Sequence, residues 1–261
     1  MEIDSERIRA LAVLGEVLKE RQAEYSLIGA LAWQLGLGME YRTTLDVDVV
    51  VHVSSWEDYD QIKKTLVQRG FEMGRQPHRL VSGGAHVDLL PYSLDLLEGT
   101  KLVWPDGRTM DMTGYELVFT QLEPEELAPE LRWPVPPLPV LVVLKLVSFR
   151  DRGASRDLAD VVLCLEHYDK DPDSSRRYSV HDQDPTLTWE NAGAYLLGTE
   201  VRKLASADVR ELLKALEELV PDEDAPEIDR VLRELGRDAA ELRERKKVVE
   251  LVGAFVKGCA R

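Results

Sequence analysis

Cysteine is nearly absent: Cys164 and Cys259 are the two among 261 residues. That is too few for a disulfide framework, and both read as reduced thiols. Histidine is scarce as well. His52, His78, His86, His167 and His181 show no H-x-x-x-H spacing, and the two cysteines have no partner set for a zinc site. Long apolar runs are lacking too, since the greasiest stretch, Leu138 to Leu144, ends at Lys145, far short of the roughly 18 residues of a membrane span. The opening MEIDSERIRA has neither the basic start nor the apolar core of a signal peptide, so the chain is expected in the cytoplasm, with no membrane partner. Basic charge is in deficit, 33 Lys and Arg against 48 Asp and Glu, a net of −15. This field repels polyanions, so a nucleic-acid substrate would need a local basic groove, whereas a cationic small molecule or a basic protein is attracted. A Walker loop and a G-x-S-x-G elbow are both missing.

What is present is mixed α/β patterning. Ser5 can cap a helix with Ile8, Leu11, Leu14 and Leu18 at helical spacing, and Tyr25 to Ile28 reads as a short strand followed by Gly29-Ala30. Helical spacing resumes through Leu35 until Gly36 and Gly38, and Leu45 to Val53 is the clearest strand. A helix fits Ser55 to Arg69, stopped by Gly70. Arg79 to Ser82 and Ala85 to Leu90 flank Gly83-Gly84 as a hairpin, and Leu102 to Trp104 and Thr109 to Met112 flank Pro105-Asp106-Gly107. Prolines 134, 136, 137 and 139 lead into a helix from about Leu138 to Arg152, and Ser155 can cap another through Leu165. Asp169 to Pro185 has almost no apolar residues and is expected to be a long loop. The expected organisation is therefore residues 1–165 as a mixed domain including the Lys145 helix, 166–186 as a polar linker, and 187–261 as a helical C-terminal region.

Within YRTTLDVDVVVHV, strand alternation puts Val47, Val49, Val51 and Val53 on one face and Asp46, Asp48, Val50 and His52 on the other. The valine face belongs in a core. Taken alone, such an aspartate face is more often a solvated sheet surface than a site; the chemical alternative is a site for a hard cation, in which carboxylates at i and i+2 flank Mg²⁺ and hold a triphosphate. An EF-hand is excluded because its glycine and terminal glutamate are missing at the required offsets. Asp88, in HVDLLPYS, could add a third carboxylate from a second strand. Arg42 and Thr44 precede the pair where they could serve phosphate oxygens, and Gly29-Ala30 opens a helix whose N–H groups can receive an anion or merely turn the chain. Lys145 lies in a helix that is apolar nearly all round, so its ammonium must reach solvent or meet an anion. Arg152 lies two turns on, along the same face. Asp157 is placed to favour a helix N-terminus, and Asp160 shares its face. The run Arg243, Arg245, Lys246 and Lys247 is interleaved with glutamates and reads as a solvated helical face.

Together these residues resemble the nucleotidyltransferase superfamily and, within it, the AbiEii-like proteins of type IV toxin–antitoxin systems. The pattern is Gly29-Ala30, then Arg42-x-Thr44-x-Asp46-x-Asp48, then Asp88, then Lys145, then Arg156-Asp157. Two positions depart from it: Ala30 stands where many members carry Gly or Ser, and Arg156 where many carry Lys. The resemblance implies a nucleotidyltransferase-like mixed sheet flanked by helices. It also implies an enzyme moving a nucleoside monophosphate from an NTP to an acceptor hydroxyl with Mg²⁺ (or Mn²⁺). Asp46, Asp48 and Asp88 would then be the metal ligands and, with Lys145 and Asp157, the catalytic set. Gly29, Ala30, Arg42, Thr44, Lys145, Arg152 and Arg156 would contact the nucleotide.

The acceptor stays open at this level. The resemblance points to RNA such as a tRNA end, or to a protein hydroxyl in a toxin system with a cognate antitoxin. The acidity points to a cationic small molecule of the aminoglycoside type, and a non-catalytic nucleotide-sensing or scaffold module is the remaining alternative.

Overall fold

The computed structural model describes residues 3–40, 46–171, 174–204, 207–220 and 222–260. The chain divides into two compact units, Met1–Leu141 and Val142–Arg261, earlier than the boundary at 165 drawn from composition. The expected mixed sheet with helices and a helical C-terminal region is what forms.

In the first unit, α1 (Ser5–Glu20) is capped by Asp4, whose carboxylate accepts from the N–H groups of Glu6 and Arg7; Ser5 is the first helical residue and not the cap. There follow β1 (Tyr25–Ile28), α2 (Gly29–Leu37), β2 (Asp46–His52) and α3 (Trp56–Gln68), the last capped by Ser55, which the sequence reading places inside the helix. β3 (Glu72–Met73), β4 (Arg79–Ser82) and β5 (Ala85–Tyr92) complete a five-stranded sheet of order β1-β2-β5-β4-β3. β2 and β5 run parallel at its centre, and every other pairing is antiparallel. A three-stranded sheet, β6 (Leu97–Glu98), β7 (Lys101–Val103) and β8 (Thr109–Asp111), and a hairpin, β9 (Glu123–Ala128) with β10 (Leu131–Val135), follow.

The valine face of β2 is core: Val47, Val49, Val51 and Val53 are all buried, each worth about 1.5–3 kcal/mol over exposure. Trp33 and Trp133 are fully buried, and Trp133 meets the edge of Tyr25 with ring centroids 5.0 Å apart. The Tyr59 hydroxyl of α3 donates to the Leu89 carbonyl at 2.8 Å, fixing that helix to the strand carrying Asp88.

The connection into the second unit is α4 (Leu138–Arg152), whose apolar residues from Val140 to Val147 are buried on all sides. Next come α5 (Ser155–His167), α6 (Ser175–Gln183), α7 (Trp189–Leu204), α8 (Ala207–Leu219), α9 (Pro226–Glu234) and α10 (Leu242–Ala260). Ser155 does not cap α5; Ala154 occupies that position without a side-chain bond.

α6 corrects the expected loop. Its anchor is a buried guanidinium: Arg177 donates to the Trp189 carbonyl at 2.7 Å and to the Tyr168 carbonyl, and it lies over the Trp189 ring. A Cβ on Gly193 would sit 2.2 Å from that guanidinium, so only glycine leaves room for it. Arg176 with Glu200, His181 with the Leu187 carbonyl and the buried Val180 add to this anchor, and a helix held mainly by polar contacts is invisible to hydropathy. α7 and α10 cross at Gly198 and Gly258, where an added Cβ would come 2.1 Å from the Phe255 carbonyl or 2.2 Å from the Tyr195 carbonyl. Glu166 on α5 accepts from Arg237 and from Lys247 on α10, each at 2.6 Å. Although burial works against it, these two cations hold its carboxyl down at about 2.

Candidate active site

The centre of the first sheet sets charged side chains in rows. Parallel pairing puts Asp48 beside Asp88 and Asp46 beside His86, on strands about 4.8 Å apart. The two-residue Gly83-Gly84 turn fixes the neighbouring register, so Arg79 lies opposite Asp88. On the other side Ile28 pairs with Asp48. One row across four strands therefore reads Ile28, Asp48, Asp88, Arg79, and a second contains Asp46 and His86.

At the end of the first row the chain turns from strand to helix. Gly29 has φ of +68°, and a Cβ there would lie 1.9 Å from Oδ2 of Asp48. Only glycine satisfies both demands, so the backbone that opens α2 lies against the Asp48 carboxylate. The first turn of α2 has no acidic residue, and Ile28 caps it without a side-chain bond.

The carboxylates are bridged by arginine. Arg79 donates from Nε to Oδ1 and from Nη2 to Oδ2 of Asp88, both at 2.7 Å, and Nη2 also lies 3.3 Å from Oδ2 of Asp46. Hydrogen bonding to Asp88, aided by the fields of Asp46 and Asp48, drives the Arg79 pKa above its ordinary value. His86 Nδ1 stands 3.4 Å from Oδ1 of Asp46. His78 packs on Trp104, and burial lowers its pKa against the pull of Asp88, with Arg79 and Arg108 adding to the lowering. The Asp88 side chain is 12% exposed and that of Asp46 is 43% exposed, so the row opens to solvent at Asp46.

The donor chemistry, carboxylates on adjacent strand positions, suits a hard divalent cation. Their present arrangement does not close around one: among the described residues no three His, Cys, Asp or Glu side chains converge as a metal-holding group. Both oxygens of Asp88 are turned onto Arg79. Arg42 and Thr44 lie outside the described residues.

In the second unit Lys145 meets anions rather than solvent. Its Nζ is 2.6 Å from Oδ2 of Asp160 and 3.3 Å from Oδ1 of Asp157, and Arg152 grips Asp157 with two bonds of 2.7 Å. Both aspartates are buried. Arg156 turns away from this group, 63% exposed and 3.9 Å from Glu234.

Sequence reasoning missed Arg79 and gave Asp160 too small a part. The signal for Arg79 was present, because a two-residue hairpin at 83–84 dictates that 79 opposes 88. The signal for Asp160 was its i+3 offset from Asp157 on one helical face.

Residues 13–234 match the family described as Nucleotidyl transferase AbiEii toxin, Type IV TA system, and the chain belongs to that family of nucleotidyltransferases. Among functionally curated proteins none matches it. The chain is similar to the solved antibiotic-resistance factor ANT(2'')-Ia, at 13% identity over 83% of this chain and 97% of that one, with a TM-score of 0.40. It is similar to the lincosamide antibiotic adenylyltransferase LnuA, at 13% identity over 62% and 96%, TM-score 0.38. It is also similar to an antigenic nucleotidyltransferase-like protein from Paracoccidioides brasiliensis, at 16% identity over 74% and 94%, TM-score 0.44. Among the described residues no helix is long and apolar enough to cross a membrane.

Proposed function

We propose that the chain transfers a nucleoside monophosphate from an NTP to an acceptor hydroxyl, with Asp46, Asp48 and Asp88 as the reacting centre. The observation that carries this reading is the parallel register of Asp48 with Asp88, next to the turn at Gly29. In the reaction the acceptor oxygen bonds to the α-phosphorus, the bond to the bridging oxygen breaks, pyrophosphate leaves, and the hydroxyl proton passes to a base. Asp88 is our candidate for that base. A divalent cation, Mg²⁺ or Mn²⁺, held by the three carboxylates would offset the charge of the triphosphate.

The chain's own contribution to phosphate binding begins at α2. Its N-terminal end, with no acidic residue in its first turn, attracts phosphate oxygens through the N–H groups at Gly29 and Ala30. Arg42 and Thr44 join them on the strength of the family pattern. The same pattern makes Lys145 and Asp157 a second catalytic group, with Arg152 and Arg156 as further nucleotide contacts; the clasp of Arg152 on Asp157 supports Arg152 as the residue that orients Asp157. The catalytic module is taken as residues 1–165, which includes this helix.

Family membership favours a macromolecular acceptor, an RNA end such as that of tRNA or a protein hydroxyl, with an antitoxin as binding partner. A second reading, a polycationic small molecule as acceptor, is favoured by the net charge of −15. Growth arrest on expression, relieved by Asp46→Asn, marks the first; loss of antibiotic potency on incubation with the purified chain and ATP marks the second.

The primary test is calorimetric titration of each NTP with and without Mg²⁺, on wild type and on Asp46→Asn. Mg²⁺-dependent binding that disappears in the variant is expected. Absence of binding to every NTP by the wild type would sink the proposal.

A further inference from the structure

We propose that Arg79 is an internal counter-cation of the carboxylate row, one that a divalent cation must displace and that the triphosphate then receives, so that metal and nucleotide bind as coupled ligands. The inference rests on the reading of Asp46, Asp48 and Asp88 as the nucleotide site.

Three observations carry it. Arg79 takes both oxygens of Asp88 in a two-pronged bond and reaches Oδ2 of Asp46, so its charge stands between two of the carboxylates assigned to the metal. No three-donor group converges among the described residues while it does so. The placement is also built into the backbone, because the Gly83-Gly84 turn fixes Arg79 opposite Asp88, and cross-strand partners share a face.

Mutual exclusion follows from electrostatics. A divalent ion bound to Asp88 would lie within a few ångströms of a guanidinium held on the same carboxylate, and like charges at that distance oppose each other strongly in a partly buried site. Asp88 is mostly shielded from water, so the arginine cannot simply be exchanged for solvent without cost. A metal ion arriving alone must break a charge-assisted pair and leave the guanidinium with no new partner. Arriving with a triphosphate, it brings one: the arginine exchanges a carboxylate for phosphate oxygens, which its planar fork fits equally well. Binding of one ligand then strengthens binding of the other, by the same factor in both directions.

The test is Mn²⁺ binding followed by electron paramagnetic resonance on the full chain, with and without a non-hydrolysable NTP analogue, for wild type, Arg79→Gln and Arg79→Lys. Arg79→Gln should bind Mn²⁺ alone about tenfold more tightly than wild type, and the gain on adding nucleotide should shrink by a similar factor. Arg79→Lys, which keeps the charge and loses the fork, should fall between them. If Arg79→Gln is poorly folded without metal, its melting temperature should climb with Mn²⁺ concentration, a response that a purely structural ion pair would not produce. Mn²⁺ binding by Arg79→Gln no tighter than wild type, or a melt indifferent to Mn²⁺, overturns the proposal. A nucleotide effect of equal size in wild type and Arg79→Gln overturns the coupling alone, whereas a wild type that binds no nucleotide overturns the nucleotide-site reading and the coupling with it.

Discussion

Two groups of opposed charges, one in each unit, differ in what surrounds them. On the first sheet, Asp46 and Asp88 share Arg79 at the end of a row that opens to solvent. In the second unit, Lys145 is enclosed between Asp157 and Asp160, whose side chains are 1% and 2% exposed. Asp46 in the first group is open to solvent, whereas Asp157 and Asp160 in the second are not. The same residue types thus stand in a solvent-open group in one place and in an enclosed ion cluster in the other, and solvent access separates the two.

The sharpest way to break this contrast is a crossed pair of substitutions. Asp46→Asn should reduce nucleotidyl transfer by at least about 100-fold while leaving the unfolding curve unchanged. Lys145→Met should do the converse for stability: it takes the ammonium away from two buried carboxylates, of which Asp157 keeps Arg152, and should cost about 3 kcal/mol in urea unfolding. A stability loss in the first variant, or none in the second, would erase the distinction. Gly29→Ala should come next in size, about 1–3 kcal/mol from the positive φ together with the clash on Asp48. Nucleotide affinity should fall with it, because the carboxylate must move.

The smallest effect belongs to Glu166. Its folded pKa is depressed to about 2 from 4.5, so its contribution is present above pH 4.5 and is lost as pH falls from there towards 2. Glu166→Gln should flatten that part of the acid-unfolding profile by about 1–2 kcal/mol, after allowance for solvent screening. An unchanged acid limb would show that Arg237 and Lys247 hold α5 in some other way.

Much of this geometry is legible in the sequence because period-2 alternation and short turns are local codes. The valine face of β2 and the Gly83-Gly84 hairpin both follow from a few neighbouring residues. Pairing between distant strands is not local, which is why Asp46, Asp48 and Asp88 could be nominated from the chain but their register could not. Arg79 lay between these cases: the hairpin turn dictates its partner, yet its part in the site depends on the parallel pairing of β2 with β5. α6 was missed because it is secured mainly by polar contacts of Arg176, Arg177 and His181, which have no hydropathic signature. The exchange of Ser5 for Asp4 as the cap of α1 reflects two adjacent residues with nearly equal capping ability.

The central parallel pair also bears on how the molecule comes into being. Asp48 and Asp88 stand forty positions apart, and β2 and β5 can register only once the intervening chain, α3 with β3 and β4, has been brought round. Lys145 and Asp157, on consecutive helices, meet through a short local closure. Closing a long loop before its contacts can repay the entropy makes parallel pairing slow, so the aspartate row should be among the last features to assemble and the Lys145 cluster among the first. On the proposed assignment of the aspartates, a nascent chain gains its chemistry only once its central strands have found each other.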